Sequence, residues 1–130
     1  MMPEYFQALI KQYCGAVGQQ QAERYANAVV QAWYHSLASG DRKQLAEALP
    51  EYLRPKNQLF FGRRFSEPEG VQLELVQQRL GAELQKTDIA EVEQVLRGFF
   101  RSLKIISEPS QKFVYSQLLD TKLKQLFIES

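Results

Sequence analysis

The sequence has one cysteine, one histidine and no long apolar run. Cys14 has no second cysteine to pair with, so no disulfide can form within the chain, which fits a reducing compartment. No stretch approaches the roughly 20 apolar residues that span a bilayer. The N-terminus has no basic segment followed by an apolar run, as a secretory signal would. These absences predict a cytoplasmic protein without a membrane span.

Neither positive nor negative charge predominates in the sequence. The 130 residues include 16 Lys and Arg and 15 Asp and Glu, for a net charge of +1, which argues against a general nucleic-acid binder. Hydrophobic residues make up 45% and charged residues 24%, which is the composition of a globular protein. We therefore expect residues 1–130 to form a single domain with a core that needs neither disulfide nor metal.

Motifs that would carry catalysis are absent as well. No glycine-rich phosphate loop occurs, and the lone His35 lacks the further groups that a metal site or a triad requires. We interpret His35 as a surface or boundary residue and Cys14 as a small buried apolar residue. The sequence thus predicts no catalytic residue, no cofactor, no metal ligand and no enzymatic activity. Catalytic groups that converge from distant positions stay open as an alternative.

Helical periodicity dominates the chain. The most regular segment runs from about Gln21 to Ser39, with apolar residues at every third or fourth position, and Gly40 is expected to end it. Pro50 is expected to open a short turn through Leu53. The pattern predicts an all-α fold, a compact helical bundle of about seven or eight helices. The predicted helices begin near Pro3, Gln21, Asp41, Ser66, Asp88, Ser107–Pro109 and Asp120, and the first is expected to end at Gly15 to Gly18.

The same periodicity predicts a core. The residues expected on inward faces include Phe6, Leu9, Ile10, Tyr13, Cys14, Val29, Trp33, Leu73, Val76, Leu80, Val95, Phe99, Leu103, Leu123, Leu126 and Phe127.

The two halves of the chain resemble each other. A shift of 66 positions places Gly15-Ala16 on Gly81-Ala82 and aligns Trp33 with Phe99, with apolar residues facing apolar residues at nearly every core position. This predicts two pseudo-repeats, at about 3–53 and 67–128, joined by a linker at 54–66. A pseudo-twofold arrangement with a groove between the halves would follow. The alternative is that any two amphipathic helices align this well.

Two segments carry a family resemblance. They are Asn27-Ala28-Val29-Val30 and the run from Leu45 to Arg54, Leu-Ala-Glu-Ala-Leu-Pro-Glu-Tyr-Leu-Arg, with looser counterparts at Glu93–Leu96 and Leu118–Lys124. With them the chain resembles a bacterial family known only as domain of unknown function twenty-two sixty-seven. The resemblance implies an all-helical fold with two repeats. It implies no activity and no functional residue.

The linker has an unusual composition. Residues 54–65 carry four basic side chains and no acidic one, interleaved with aromatic residues. Such a segment could bind a protein or nucleic acid, or its aromatic residues could simply anchor a long connection to the core. The candidate partner-binding residues are Arg54, Lys56, Phe60, Phe61, Arg63, Arg64 and Phe65.

The leading hypothesis from the sequence is a non-enzymatic protein-interaction module: an adaptor, an assembly factor or a chaperone-like binder that holds a partner's helix or tail. One alternative is nucleic-acid binding through the linker. Another is a carrier of a small molecule or lipid, with a cavity among Trp33, Phe99 and Phe100. A homodimer could form through Tyr34, Phe100 or Ile128.

Overall fold

The computed structural model describes residues 2–55 and 72–130, and these residues form helices joined by short turns, without a strand. The prediction of an all-α bundle is confirmed. One 3-10 turn, Glu51–Leu53, lies after the third helix. The seven α-helices of the described residues are α1 (Glu4–Cys14), α2 (Gly18–Tyr34), α3 (Ser39–Ala48), α4 (Leu73–Leu84), α5 (Ile89–Ile106), α6 (Pro109–Gln117) and α7 (Thr121–Glu129).

The helix contacts fall into matched pairs. α1 packs along α5, and α2 packs along α4. The contact of α1 with α2 has its counterpart in that of α4 with α5, and the 3-10 turn lies on α2 as α7 lies on α5. The remaining contacts, α2 with α5 and α3 with α6, join equivalent helices of the two halves. Two repeats related by a pseudo-twofold axis would give this pattern; the duplication itself stays a prediction from the sequence.

Trp33 is the largest side chain in the core, with 1% of its surface exposed. Its ring meets Phe100 edge-on with centroids 5.7 Å apart and Tyr115 with centroids 5.9 Å apart. The indole N–H donates to the carbonyl of Leu118 over 3.0 Å, so the one polar atom of the ring has a partner. Most of the residues expected on inward faces are buried, whereas Leu9, Tyr13 and Leu73 are half-buried at the edge of the core.

Several predicted helix ends are confirmed. Gly15 ends α1 with a φ of 75°, the left-handed conformation that glycine adopts without strain. The carboxylates of Asp88 and Asp120 accept backbone N–H bonds at the starts of α5 and α7. The 3-10 turn after Pro50 is present as predicted.

α6 begins at Pro109, one of the two residues predicted to open it. Its cap is Glu108, whose backbone N–H donates to Gln111 over 2.8 Å, while the hydroxyl of Ser107 donates back to Leu103 in α5. The predicted end of α2 is wrong: α2 ends at Tyr34, and Gly40 lies inside α3.

The Arg42 guanidinium binds the end of α2. It donates to the carbonyls of Tyr34 over 3.1 Å and His35 over 3.3 Å. A helix leaves its last carbonyls without partners, and a cation there also stabilises the helix dipole. Because α3 supplies this side chain, α2 stops five residues before the predicted Ser39. This cap is a tertiary contact and leaves no trace in local periodicity.

The Asp120 cap yields a stability prediction. Asp120→Ala removes the bond of 2.8 Å to the Leu123 N–H, so we expect the free energy of unfolding to fall by about 1 kcal/mol. Urea unfolding followed by circular dichroism measures it. Asp120→Asn keeps an acceptor at the same place and should recover most of the loss; equal losses in both variants would show that the cap bond is not the cause.

Candidate partner-binding groove

Of the seven partner-binding residues predicted in the linker, only Arg54 is among the described residues. Arg54 is exposed, and its guanidinium donates to the carbonyls of Leu49 over 3.2 Å and Glu47 over 3.4 Å, so it binds the end of α3. The other candidates, Lys56, Phe60, Phe61, Arg63, Arg64 and Phe65, lie outside the described residues, as does Ser66. The helix predicted to run from Ser66 through Leu73 is corrected: α4 begins at Leu73, because Gln72 has an extended backbone. Their partner-binding role stays a prediction.

Cys14 and His35 lie where the sequence interpretation placed them. Cys14 is buried, its thiol donates to the carbonyl of Val95 over 3.3 Å, and burial raises its pKa to about 12, so the thiolate that reacts is disfavoured. His35 is half-buried and its imidazole bonds Gln31 over 2.8 Å. Across residues 2–55 and 72–130, no three His, Cys, Asp or Glu side chains form a cluster that could hold a metal ion.

The aromatic residues proposed to line a carrier cavity pack against one another. Trp33 touches Phe100 edge-on, and Phe100 lies 6.2 Å from Phe99 between ring centroids. This packing indicates that the three aromatic side chains fill part of the core and do not line a ligand cavity. Phe100 is 1% exposed, so its suggested place in a homodimer surface is wrong; Tyr34 is half-buried and Ile128 is 62% exposed.

A surface groove of about 680 Å³ lies where the two halves of the chain meet, and we call it the seam groove. α5 forms its long wall, Tyr13 at the end of α1 forms the opposite side, and the end of α7 closes it. A groove between the halves is what the repeat would imply, and the repeat itself stays a prediction. The lining residues are Tyr13, Ile89, Ala90, Glu93, Gln94, Arg97, Gly98, Arg101, Glu129 and Ser130.

Gly98 brings the two walls together. A Cβ atom at this position would lie 2.5 Å from the carbonyl oxygen of Tyr13 and 2.7 Å from the backbone nitrogen of Cys14. Both atoms belong to the α1 backbone, so the contact cannot be relieved by turning a side chain. The α1–α5 crossing, and with it the shape of the seam groove, therefore depends on glycine at 98. The shift of 66 pairs Gly98 with Ala32 at the α2–α4 crossing.

Two arginines one helical turn apart define the α5 wall. The guanidinium of Arg101 lies over the Tyr13 ring, 4.4 Å from its centroid, and Arg97 pairs with Glu93 over 2.9 Å. Both contacts give the arginine side chains a partner within the groove. At the far end, the side chain of Ile89 is 66% exposed. The groove thus presents an aromatic ring, a stacked cation, a paired cation and an exposed aliphatic group.

This set of groups suits recognition better than catalysis. It contains no nucleophile beside a base and no pair of carboxylates with contrasting environments. Sequence analysis missed it because its residues come from three helices and form no local motif. The spacing of Arg97 and Arg101, four residues apart on a predicted helix, is the one signal that was present.

No helix in the described residues is both long enough and apolar enough to cross a membrane. Comparisons of the chain with protein-family models, curated proteins and solved structures gave no match. The resemblance to family twenty-two sixty-seven stays a prediction.

Proposed function

We propose that this protein is a non-enzymatic interaction module, an adaptor or assembly factor, that binds a short segment of a partner protein in the seam groove. The stack of Arg101 on Tyr13 at the groove wall carries the proposal. Arginine and tyrosine are among the residue types that contribute most to binding energy at protein interfaces. A cytoplasmic location belongs to the same proposal and is supported by the single, buried cysteine.

The fixed geometry of the groove favours binding. Ordering a flexible side chain at an interface costs about 0.5–1.5 kcal/mol. Arg101 is already held by Tyr13, and Arg97 by Glu93, in the free protein. Both walls are helices that approach closely at Gly98. The contacts of the two arginines lower the part of the ordering cost that falls on their side chains.

The size of the groove limits what it holds. A volume of about 680 Å³ suits a few residues or one helical turn. A stable interface of standard size buries about 1,600 Å² in total, which is more than such a segment covers. We therefore propose a transient contact with a tail or short helix, unless the partner also reaches the surface around the groove.

Arg101→Glu tests the proposal. Reversing the charge at the stacked position should weaken partner retention about tenfold or more, because it removes an anchor and adds a carboxylate to a groove that already contains Glu93 and Glu129. Wild type and variant are used as bait in native lysate, with nuclease treatment, and retained proteins are quantified by mass spectrometry.

Lys43→Glu is the matched control, because it makes the same charge change at an exposed position on α3, outside the groove. Circular dichroism checks that both variants fold. A partner lost with Arg101→Glu and retained with Lys43→Glu supports the groove. Equal retention by all three proteins would remove the groove from the account, and a signal lost on nuclease treatment would favour nucleic acid.

A further inference from the structure

Arg101 differs from the other arginines in the part of the chain that the structure describes. Every other arginine there donates a hydrogen bond to a main-chain carbonyl, a hydroxyl or a carboxylate. The guanidinium of Arg101 donates to no oxygen of the described residues, and its contact is with the ring of Tyr13. That contact is an attraction between a cation and the face of a ring, so it supplies no acceptor for the N–H donors of Arg101.

The carboxylates that line the seam groove already have partners. Glu93 pairs with Arg97 over 2.9 Å, and Glu129 accepts from the amide of Gln125 over 2.6 Å. Of these two described carboxylates, neither forms an ion pair with Arg101. Arg101 is exposed, so an acceptor for its donors comes from water in the free protein and from the partner in a complex.

The chemistry of Arg101 suits an acidic group. The N–H donors of a guanidinium form a planar fork that matches the two oxygens of a carboxylate, and the resulting charge-assisted bonds are stronger than neutral ones. The Tyr13 ring holds this fork at the groove wall. A carboxylate bound there would therefore meet a donor set that no protein carboxylate occupies.

Ile89 provides an apolar contact at the other end of the groove. It is the first residue of α5, its side chain is 66% exposed, and it also lines a smaller pocket of about 290 Å³ between α4 and α5. An apolar group that covers Ile89 removes apolar surface from water, which favours binding. At a rise of about 1.5 Å per residue, Ile89 and Arg101 lie about 18 Å apart along α5, a distance that an extended peptide spans in about five or six residues.

We propose that the partner segment in the seam groove carries a carboxylate that binds Arg101 and, about five or six residues away, an apolar side chain that covers Ile89. This inference rests on the proposed function and specifies the ligand of the same groove. The carboxylate belongs to an Asp or Glu side chain or to the C-terminus of the partner, two sources of one chemistry. A basic segment is disfavoured, because it would bring its charge next to Arg101.

Peptide libraries test the requirement for a carboxylate. Two synthetic libraries of random decapeptides, one with a free C-terminal carboxylate and one amidated, are incubated with the full chain carrying a photoreactive amino acid at Gln94 in the groove. After irradiation, crosslinked peptides are sequenced. If a side chain is the ligand, both libraries should yield peptides enriched in Asp or Glu about five or six positions from an apolar residue. If the terminus is the ligand, only the free-carboxylate library should crosslink.

The two ways of failing are distinct. Crosslinked peptides that show no enrichment in acidic residues and no loss on amidation would overturn this inference and leave groove binding in place. An absence of crosslinked peptides from both libraries would overturn this inference and the proposed function together.

A double-mutant cycle then tests the contact with Arg101. Replacing the acid of an enriched peptide by its amide should weaken binding to wild type about tenfold, measured by fluorescence anisotropy. The same replacement should have little effect on binding to Arg101→Gln, because the partner of the carboxylate is gone. Lys43→Gln, at an exposed position outside the groove, should show the full tenfold loss.

An equal loss with wild type and Arg101→Gln would overturn the pairing of the acid with Arg101. Circular dichroism checks that each variant folds. If Arg101→Gln does not fold, Arg101→Lys replaces it in the cycle: it keeps the charge but loses the planar donor fork, so the loss on amide replacement should be smaller than with wild type. A loss as large as that of wild type would overturn the inference in that case.

Discussion

Gly98→Ala is expected to lower the free energy of unfolding by about 3 kcal/mol, at the upper end of the usual cost of overpacking. The added methyl group would lie 2.5 Å from the Tyr13 carbonyl oxygen and 2.6 Å from its carbon. α1 must move away from α5, which also loosens the bond from Cys14 to Val95. Chemical unfolding followed by circular dichroism measures the change.

Gly40→Ala is the matched control. Gly40 is also helical, yet a Cβ there meets nothing within 4 Å. Alanine is the better helix former, so this variant should be neutral or more stable by up to about 1 kcal/mol. Similar destabilisation by both substitutions would mean that helix propensity, and not the close crossing at Gly98, governs the result.

Trp33→Ala is expected to cost about 3–5 kcal/mol. It removes the largest buried ring, leaves a cavity beside Phe100 and Tyr115, and deprives the Leu118 carbonyl of its indole donor. Domains are typically stable by about 5–15 kcal/mol, so this variant should lie close to unfolding at ordinary temperature. Because Trp33 is the only tryptophan, stability is followed by circular dichroism instead of fluorescence.

Trp33→Phe separates packing from hydrogen bonding. It retains an aromatic ring but loses the N–H bond of 3.0 Å to Leu118, and an unpaired buried carbonyl costs about 1–3 kcal/mol. We expect a loss well below that of alanine. A cost under 1 kcal/mol for Trp33→Ala would contradict the central position of this residue in the core.

Most of the fold could be predicted because helix periodicity records which residues face inward. Phe6, Trp33 and Phe99 lie on regular apolar stripes, and each is fully buried. A cap formed by the residue just before its helix, such as Asp120, could also be predicted from the sequence. The end of α2 could not be predicted, because its cap, Arg42, reaches it from the next helix.

The candidate sites could not be predicted from local patterns. Gly98 stands in a regular helical stretch, and only its distance to the Tyr13 backbone shows why it must be glycine. Tyr13 and Arg101 are 88 residues apart, so no motif joins them.

Site-specific photo-crosslinking tests the central claim most directly. A photoreactive amino acid replaces Gln94, an exposed residue of the seam groove, or Lys43, an exposed residue of α3 outside it. After irradiation in native lysate, we expect Gln94 to crosslink one short segment of the protein that wild type retains and Arg101→Glu loses, and Lys43 to give no such product. Crosslinks to that protein from Lys43 but not from Gln94 would contradict binding in the seam groove.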